Sequence, residues 1–248
     1  SGDFAIDSSS GAITFNSAPD FETPGSVANS NAYSLNVVAS DGTNTDTEAI
    51  VVNVTNENDN TPAFTSDSSF SIAEGTDSVA TLTGSDADGT TPTFSTTLAG
   101  DDAGDFTLTS GGVLAFAATP DFEAAADADT NNVYSITATI TDGTNTATQA
   151  ITITVTDEND NNPVLSVATP YSVAENTTTV ATVTASDADA GTTITFSLSG
   201  TDSGDFAIDS SSGAITFNSA PDFETPGSVA NSNAYSLNVV ASDGTNTD

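Results

Sequence analysis

VTDENDNNP, residues 155–163, closes one run of alternating apolar and polar residues and opens the next. In nine residues it places Asp157, Asn159, Asp160 and Asn161 ahead of Pro163, with no basic residue nearby. The string returns slightly altered as VTNENDNTP at residues 54–62, and Asn58 and Asn159 stand 101 residues apart. Boundary strings at such a distance are punctuation between repeats.

The repeat itself is explicit. Ser1–Asp46 and Ser203–Asp248 are identical letter for letter. The middle block is a diverged cousin offset by 101, so that Asp20, Asp121 and Asp222 align, as do Asp41, Asp142 and Asp243. The unit is a 101-residue repeat nested in a 202-residue super-repeat of two alternating types. The expected domains are residues 1–60 (the C-terminal part of a repeat with its linker), 61–161 (a complete repeat with its linker) and 162–248 (a repeat truncated before its last strand). A chain that starts and stops in mid-repeat is expected to be a window from a longer tandem array.

Composition excludes much chemistry. The 248 residues carry 35 acidic side chains and no Lys, Arg or His, a net charge of −35. No internal ion pair between side chains can offset it, so the carboxylates are either dispersed or share cations from outside. Nucleic acid and anionic membrane surfaces, which require Lys and Arg, are excluded as partners. Without His or Cys there is no Ser-His-Asp or Cys-His arrangement, no zinc site of the usual kind and no disulfide. No 18-residue apolar run exists, so no membrane insertion is expected in this segment. Absence of cysteine argues against a secreted protein, unless a metal supplies the cross-links.

Short alternating runs separated by turn residues predict an all-β antiparallel sandwich of about seven strands per repeat, immunoglobulin-like in topology. Tyr134, Ile136, Ala138 and Ile140 alternate with Ser and Thr. After the Asp142-Gly143 turn, Ile151, Ile153 and Val155 continue the period. In the third block strands are expected at Ser172–Ala174, around Ala181 and Ala185, around Ile194 and Leu198, at Phe206 with Ile208 and at Ile215 with Phe217. The core is expected to be Ala, Val, Ile, Leu and Phe.

Five kinds of acidic group recur. They are the Glu at the end of the first strand (Glu74, Glu175), the pair in PDFE (Asp20 with Glu22, Asp121 with Glu123, Asp222 with Glu224), the linker, the pair in SDAD (Asp86 with Asp88, Asp187 with Asp189) and the Asp of the Asp-Gly turn. Each has a plain structural explanation. Asp-Gly is a good hairpin turn without a metal, Asp-Ala-Asp suits a solvated loop, and a Glu at a strand end protects an edge. Their order along the whole chain is far more specific. Glu, then PDFE, then D-x-N-D-N-x-P, then D-x-D, then Asp-Gly resembles the calcium-binding junction of the cadherin superfamily.

The resemblance implies Greek-key β-sandwich repeats placed end to end, with calcium held at each junction by oxygen donors. For the second junction it implies Glu74, Asp121 and Glu123 from the upper repeat. Asp157, Asn159 and Asp160 would serve through side chains and Asn161 through its carbonyl, with Asp187, Asp189 and Asp243 from the lower repeat. Three Ca2+ ions, +6 in all, would face the −8 of eight carboxylates. The first junction would use Asp20, Glu22, Asn58, Asp59, Asn60, Asp86, Asp88 and Asp142, with Asn56 where the second has Asp157. Glu175, Asp222 and Glu224 are the same upper-repeat acids in the third block. The amide at Asn56 removes a charge, so tighter and looser junctions are expected to alternate. The loop AAADADTNN, residues 124–132, adds Asp127 and Asp129, whereas the matching TPGSVANSN loop has no acid; a solvated loop is the preferred reading there.

The function expected from this resemblance is the shaft of a calcium-rigidified extracellular adhesin or surface filament, similar to the repeats of large bacterial surface proteins. The alternative is that the repeats themselves adhere, meeting other copies or cell-surface components through calcium. An enzyme is not expected: Glu74 and Glu123 are nominally a glycosidase pair, but such acids recur in every repeat.

Overall fold

The computed structural model describes residues 2–248. It holds twenty short strands, two one-turn 3-10 segments at Ala103–Asp105 and Ser203–Asp205, and no α-helix among the described residues. Among the described residues no helix is long and apolar enough to cross a membrane. The first block has β1 (Phe4–Ile6), β2 (Ile13–Phe15), β3 (Ala32–Ser40) and β4 (Thr45–Asn53). The middle block has β5 (Ala63–Phe64), β6 (Ser69–Ala73), β7 (Ser78–Thr81), β8 (Gly84–Ser85), β9 (Thr93–Phe94), β10 (Phe106–Leu108), β11 (Val113–Phe116), β12 (Val133–Thr141) and β13 (Thr146–Thr156). The third has β14 (Val164–Ser166), β15 (Thr179–Thr182), β16 (Thr184–Ser186), β17 (Thr195–Ser199), β18 (Phe206–Ile208), β19 (Ala214–Phe217) and β20 (Asn238–Ser242).

These elements form two compact units. One comprises residues 2–70, Asp77–Ala118 and Val133–Ile153, and the other Ser71–Thr76, Thr119–Asn132 and Thr154–Asp248. In the first unit, strand alternation produces the core. Tyr134, Ile136, Ala138 and Ile140 of β12 and Ile151 and Ile153 of β13 are buried, while the Thr residues between them are only partly so. A period-2 pattern with one covered face has that result. The middle block is a sandwich of the sheets β10-β11-β7 and β6-β13-β12-β9. Tyr134 joins them, standing edge-on to Phe106 and Phe116 at ring distances of 5.5 and 5.3 Å. Edge-on pairs are the favoured aromatic geometry. The core therefore includes Tyr, which composition reasoning had left out.

Nine segments appear in the middle block where about seven strands were expected, because strands change partners. β5 pairs with β8, whereas β6, only four residues further on, joins β13. Such a switch between sheets forms the corner of a sandwich. Gly112 marks another constraint: at φ +89°, a Cβ there would lie 2.3 Å from the Leu82 carbonyl oxygen.

The second unit builds the third block from β15-β19-β18, β17-β20 and β14-β16. Its buried core comprises Val183, Phe196, Phe206, Ile215, Phe217 and Ala241. The strand expected at Ser172–Ala174 is absent. Its counterpart β6 is paired with β13, of whose equivalent in the third block the given sequence holds only Thr247 and Asp248. A strand exists by virtue of its hydrogen-bonded neighbour, and these residues have none. β20 is shortened for the same reason, five residues against nine in β3, although Ala234–Ser242 repeats the β3 sequence.

Two substitutions test this core in the middle block. Leu114, fully buried, replaced by Ala is expected to cost about 2–5 kcal/mol. Gly112→Ala is expected to cost more than about 1 kcal/mol, since it adds a side chain at positive φ against backbone. Urea denaturation followed by tyrosine fluorescence reads both; a wild-type midpoint in either variant would contradict the packing described.

Candidate metal centres

Within the second unit the acids of the second junction converge. Glu74, Asp121 and Glu123 each place a carboxylate oxygen within 4.8 Å of the others, and so do Glu123, Asp157 and Asp189. Glu74 directly follows β6 and is 6 % exposed. Its two oxygens accept the backbone N–H groups of Phe122 and Glu158, so one carboxylate ties the PDFE loop to the linker. Pro163 is fully buried and anchors the far end of the linker.

Asn161 is the hub of the arrangement. Its backbone N–H donates to Asp189 Oδ2 (3.1 Å), and its Nδ2 donates to Asp189 Oδ1 (2.8 Å), Glu123 Oε2 (3.1 Å) and Asp160 Oδ1 (3.0 Å). Ala190 N–H donates to Asp157 Oδ2, and Asp189 N–H to Asp187 Oδ1. Asp243 Oδ1 accepts two N–H groups from its own turn, those of Thr245 and Asn246. Asn246, which sequence reasoning passed over, donates through Nδ2 to Asn159 Oδ1 (3.1 Å) and to the Asn161 carbonyl (2.8 Å). A signal for it was present, since D-G-T-N closes the hairpin in all three blocks.

What remains unpaired defines the site. Asp157 Oδ1, Asp187 Oδ2 and Asp243 Oδ2 are buried and have no hydrogen-bond partner. Buried polar atoms are normally satisfied, and carboxylate oxygens carry charge as well. The electrostatics agree. Burial pushes the Glu123 carboxyl up to about 7, helped by Asp157 and by the charge of Glu74; although much of that side chain is exposed, its carboxylate lies among the other acids. Burial also raises Asp160, reinforced by Glu74, Asp189, Asp121 and Asp157. Burial acts the same way on Asp243, but the N–H donors of Asn246 and Thr245 outweigh it and hold that group low.

The first unit gathers the acids of the first junction, with one difference. Glu22, Asp59 and Asp88 form one carboxylate group and Asp86, Asp88 and Asp142 another. Asn60 copies Asn161, donating through its N–H and Nδ2 to Asp88 (2.8 and 2.7 Å) and through Nδ2 to Asp59. Asn145 copies Asn246 by donating to the Asn60 carbonyl. Asn58 lies between Asp88, Asp142 and Thr144, and turning its nitrogen to the two carboxylates, 3.1 Å from each, satisfies both ends of the amide. Asp20 is bound up in its own turn, accepting from Glu22 N–H, Thr23 N–H and Thr23 Oγ1. Glu22 Oε1 and Asp86 Oδ2 are buried without partners. Burial and the neighbouring charges of Asp88, Asp59 and Asp20 raise Glu22. The difference lies at Asn56, whose Nδ2 donates to the Asp88 carbonyl (2.7 Å), where Asp157 presents an unpaired oxygen.

Glu175, Asp222 and Glu224 also come within 4.8 Å of one another, all exposed. Other acids are structural. Asp127 is 3 % exposed and accepts the N–H groups of Asn131 and Asn132. It stands where the other blocks have Ser26 and Ser228, whose hydroxyls accept the N–H groups of Ser30 and Ser232. That loop acid is therefore a buried loop closure, not the solvated residue expected. Asp102 and Asp202, equally buried, accept from Ser135 and Ser236.

Residues 169–248 match the family model of the cadherin domain, and that span includes the 46 residues repeated at the start of the chain. No curated protein matches the sequence. Among solved structures, mouse cadherin-23 EC22-24 is similar at 25 % identity and a TM-score of 0.64, covering 98 % of this chain and 78 % of that one. The extracellular cadherin domains 3-6 of protocadherin gamma B2 are 28 % identical with a TM-score of 0.59, over 89 % of this chain and 55 % of that one. Mouse clustered PcdhgC3 EC1-3 shares the fold, with a TM-score of 0.67 at 21 % identity over 99 % and 82 % of the two chains. By sequence residues 169–248 are similar to a cadherin domain, and the chain has the all-β fold of tandem cadherin repeats.

Proposed function

We propose that the chain is part of the shaft of an extracellular, calcium-stiffened adhesin or surface filament of bacterial type, with Ca2+ locking the linkers at residues 54–62 and 155–163. Cadherin domains bind calcium and are extracellular, and the acids here suit a hard cation that takes six to eight oxygens. One observation carries the reading: Glu22, Asp86, Asp157, Asp187 and Asp243 each hold a buried oxygen with no donor, in a chain without Lys, Arg or His. A hard cation from outside would complete them. A shaft is favoured over an adhesive face because no large apolar side chain is exposed at equivalent positions of all three blocks. Recurrence of the acids in every block argues against a single specialised catalytic site.

Small-angle scattering in millimolar calcium is expected to show a stiff particle that becomes flexible in excess chelator. A profile indifferent to chelator would sink the linker assignment.

The first cluster should bind more weakly, because Asn56 donates where Asp157 can coordinate. Asn56→Asp is expected to tighten calcium binding there, and Asp157→Asn to weaken the second cluster, by on the order of tenfold each. Calcium titration followed by residue-resolved NMR separates the two, and equal affinities in the wild-type chain would contradict the inference.

Acidity supplies a third test. Because Glu123 in the folded chain holds its proton up to about 7 against an ordinary 4.5, the metal-free fold binds more protons than the unfolded chain between those values. Its stability therefore falls as pH rises through that window; Glu22 and Asp160 shift in the same direction. In chelator the thermal midpoint should climb on acidification from about pH 7.5 to 5.5, and in calcium, which competes with the proton, the trend should reverse. A midpoint in chelator that falls over this range would refute it.

A further inference from the structure

With no Lys, Arg, His or Trp in the chain, asparagine and glutamine amides are its only side-chain nitrogen donors. At the same place in both linkers one such amide is turned into the acids. Asn161 Nδ2 lies 2.8 Å from Asp189 Oδ1, 3.0 Å from Asp160 Oδ1 and 3.1 Å from Glu123 Oε2. A group with two hydrogens thus faces three carboxylate oxygens. Those oxygens come from three segments: the PDFE loop, the linker and the SDAD loop. Asn60, at the equivalent position of the first linker, does the same for two segments. Its Nδ2 lies 2.7 Å from Asp88 Oδ1 and 3.1 Å from Asp59 Oδ1. Both side chains are half-buried.

An amide hydrogen carries partial positive charge, and at this focus it eases the repulsion among the acids around it. The same carboxylates belong to the groups that suit a cation: Glu123 with Asp157 and Asp189, and Glu22 with Asp59 and Asp88. Calcium draws its oxygens to about 2.3–2.6 Å. A cation at that distance and N–H groups aimed at the same carboxylates repel each other, so the two occupants are mutually exclusive.

We propose that the side chains of Asn60 and Asn161 are internal stand-ins for the cation, positioning residues that hold the carboxylates together until calcium displaces their amides. The inference rests on the calcium reading and deepens it. It gives the side chain a role separate from that of the backbone carbonyl, through which each asparagine is expected to bind. A stand-in of this kind keeps the site assembled and at the same time weakens it, because each ion bound must break the amide contacts.

Thermal melting and residue-resolved calcium titration of the 248-residue chain test this with Asn161→Ala and, at the other cluster, Asn60→Ala. Both variants keep the backbone carbonyl. In chelator each should melt roughly 5–10 °C below the wild type, and in saturating calcium the deficit should vanish. Linkage then requires the altered cluster to bind calcium more tightly, by about tenfold, the equivalent of about 1.4 kcal/mol, while the other cluster keeps its affinity. Equal deficits in calcium and chelator, with affinity unchanged, would reduce the asparagine to a structural residue. Weaker binding would make its side chain a ligand. Either outcome overturns the proposal. A wild-type chain that takes up no calcium would instead sink the calcium reading, and the displacement with it.

Discussion

Uncompensated carboxylate charge is the constraint on which this structure depends. Most acidic proteins bring Lys or Arg to a buried Asp; this chain has neither. Every acid must be solvated, satisfied by N–H groups or hydroxyls, or completed by an outside cation. The linkers use the second of these, and the proposed function would add the third. N–H and amide donors take some of the oxygens, and the oxygens left over turn toward one another. Desolvation and like charge raise Glu22, Glu123 and Asp160, so these clusters hold carboxylates that repel one another.

The same residue type is used in a second way a short distance off. Asp102, Asp202 and Asp127 are as deeply buried as Asp189, yet their oxygens meet backbone N–H groups from across a loop. A serine does the work of Asp127 in the other two blocks, which shows that loop closure there needs an acceptor and not a charge. Glu74 stands between the two uses: it braces the PDFE loop against the linker and also belongs to a carboxylate cluster. On the calcium reading, such double use would couple the order of the loop to the binding of a cation.

Much of this was legible in the sequence. Alternation set the faces of β12 and β13, and the repeat of 101 residues aligned the acids. Several acids far apart in sequence do come together, Glu74 with Asp121 and Glu123, and Glu123 with Asp157 and Asp189, whereas Asp20 is taken up by its own turn. Less legible were groups whose role depends on distant partners. Asn145 and Asn246 look like ordinary turn residues until the linker carbonyls of Asn60 and Asn161 come against them. Asn56 reads as a lost charge; only the fold shows its amide donating to the Asp88 carbonyl.

The two identical stretches of 46 residues separate local from tertiary effects. In both, the Phe pair stacks, Tyr stands edge-on to it, and the Asp-Gly turn closes with Gly at positive φ. These features depend on residues within the stretch, so the sequence by itself determines them. Burial and strand length differ. Ile215 is 3 % exposed and Ala241 fully buried, while Ile13 is half-buried and Ala39 exposed; β3 runs nine residues and β20 five. Ile215 is covered by β15 and the core of its block, and β3 is long because β4 pairs with its whole length. Coverage and pairing are supplied by other segments, and only the tertiary structure decides which segments those are.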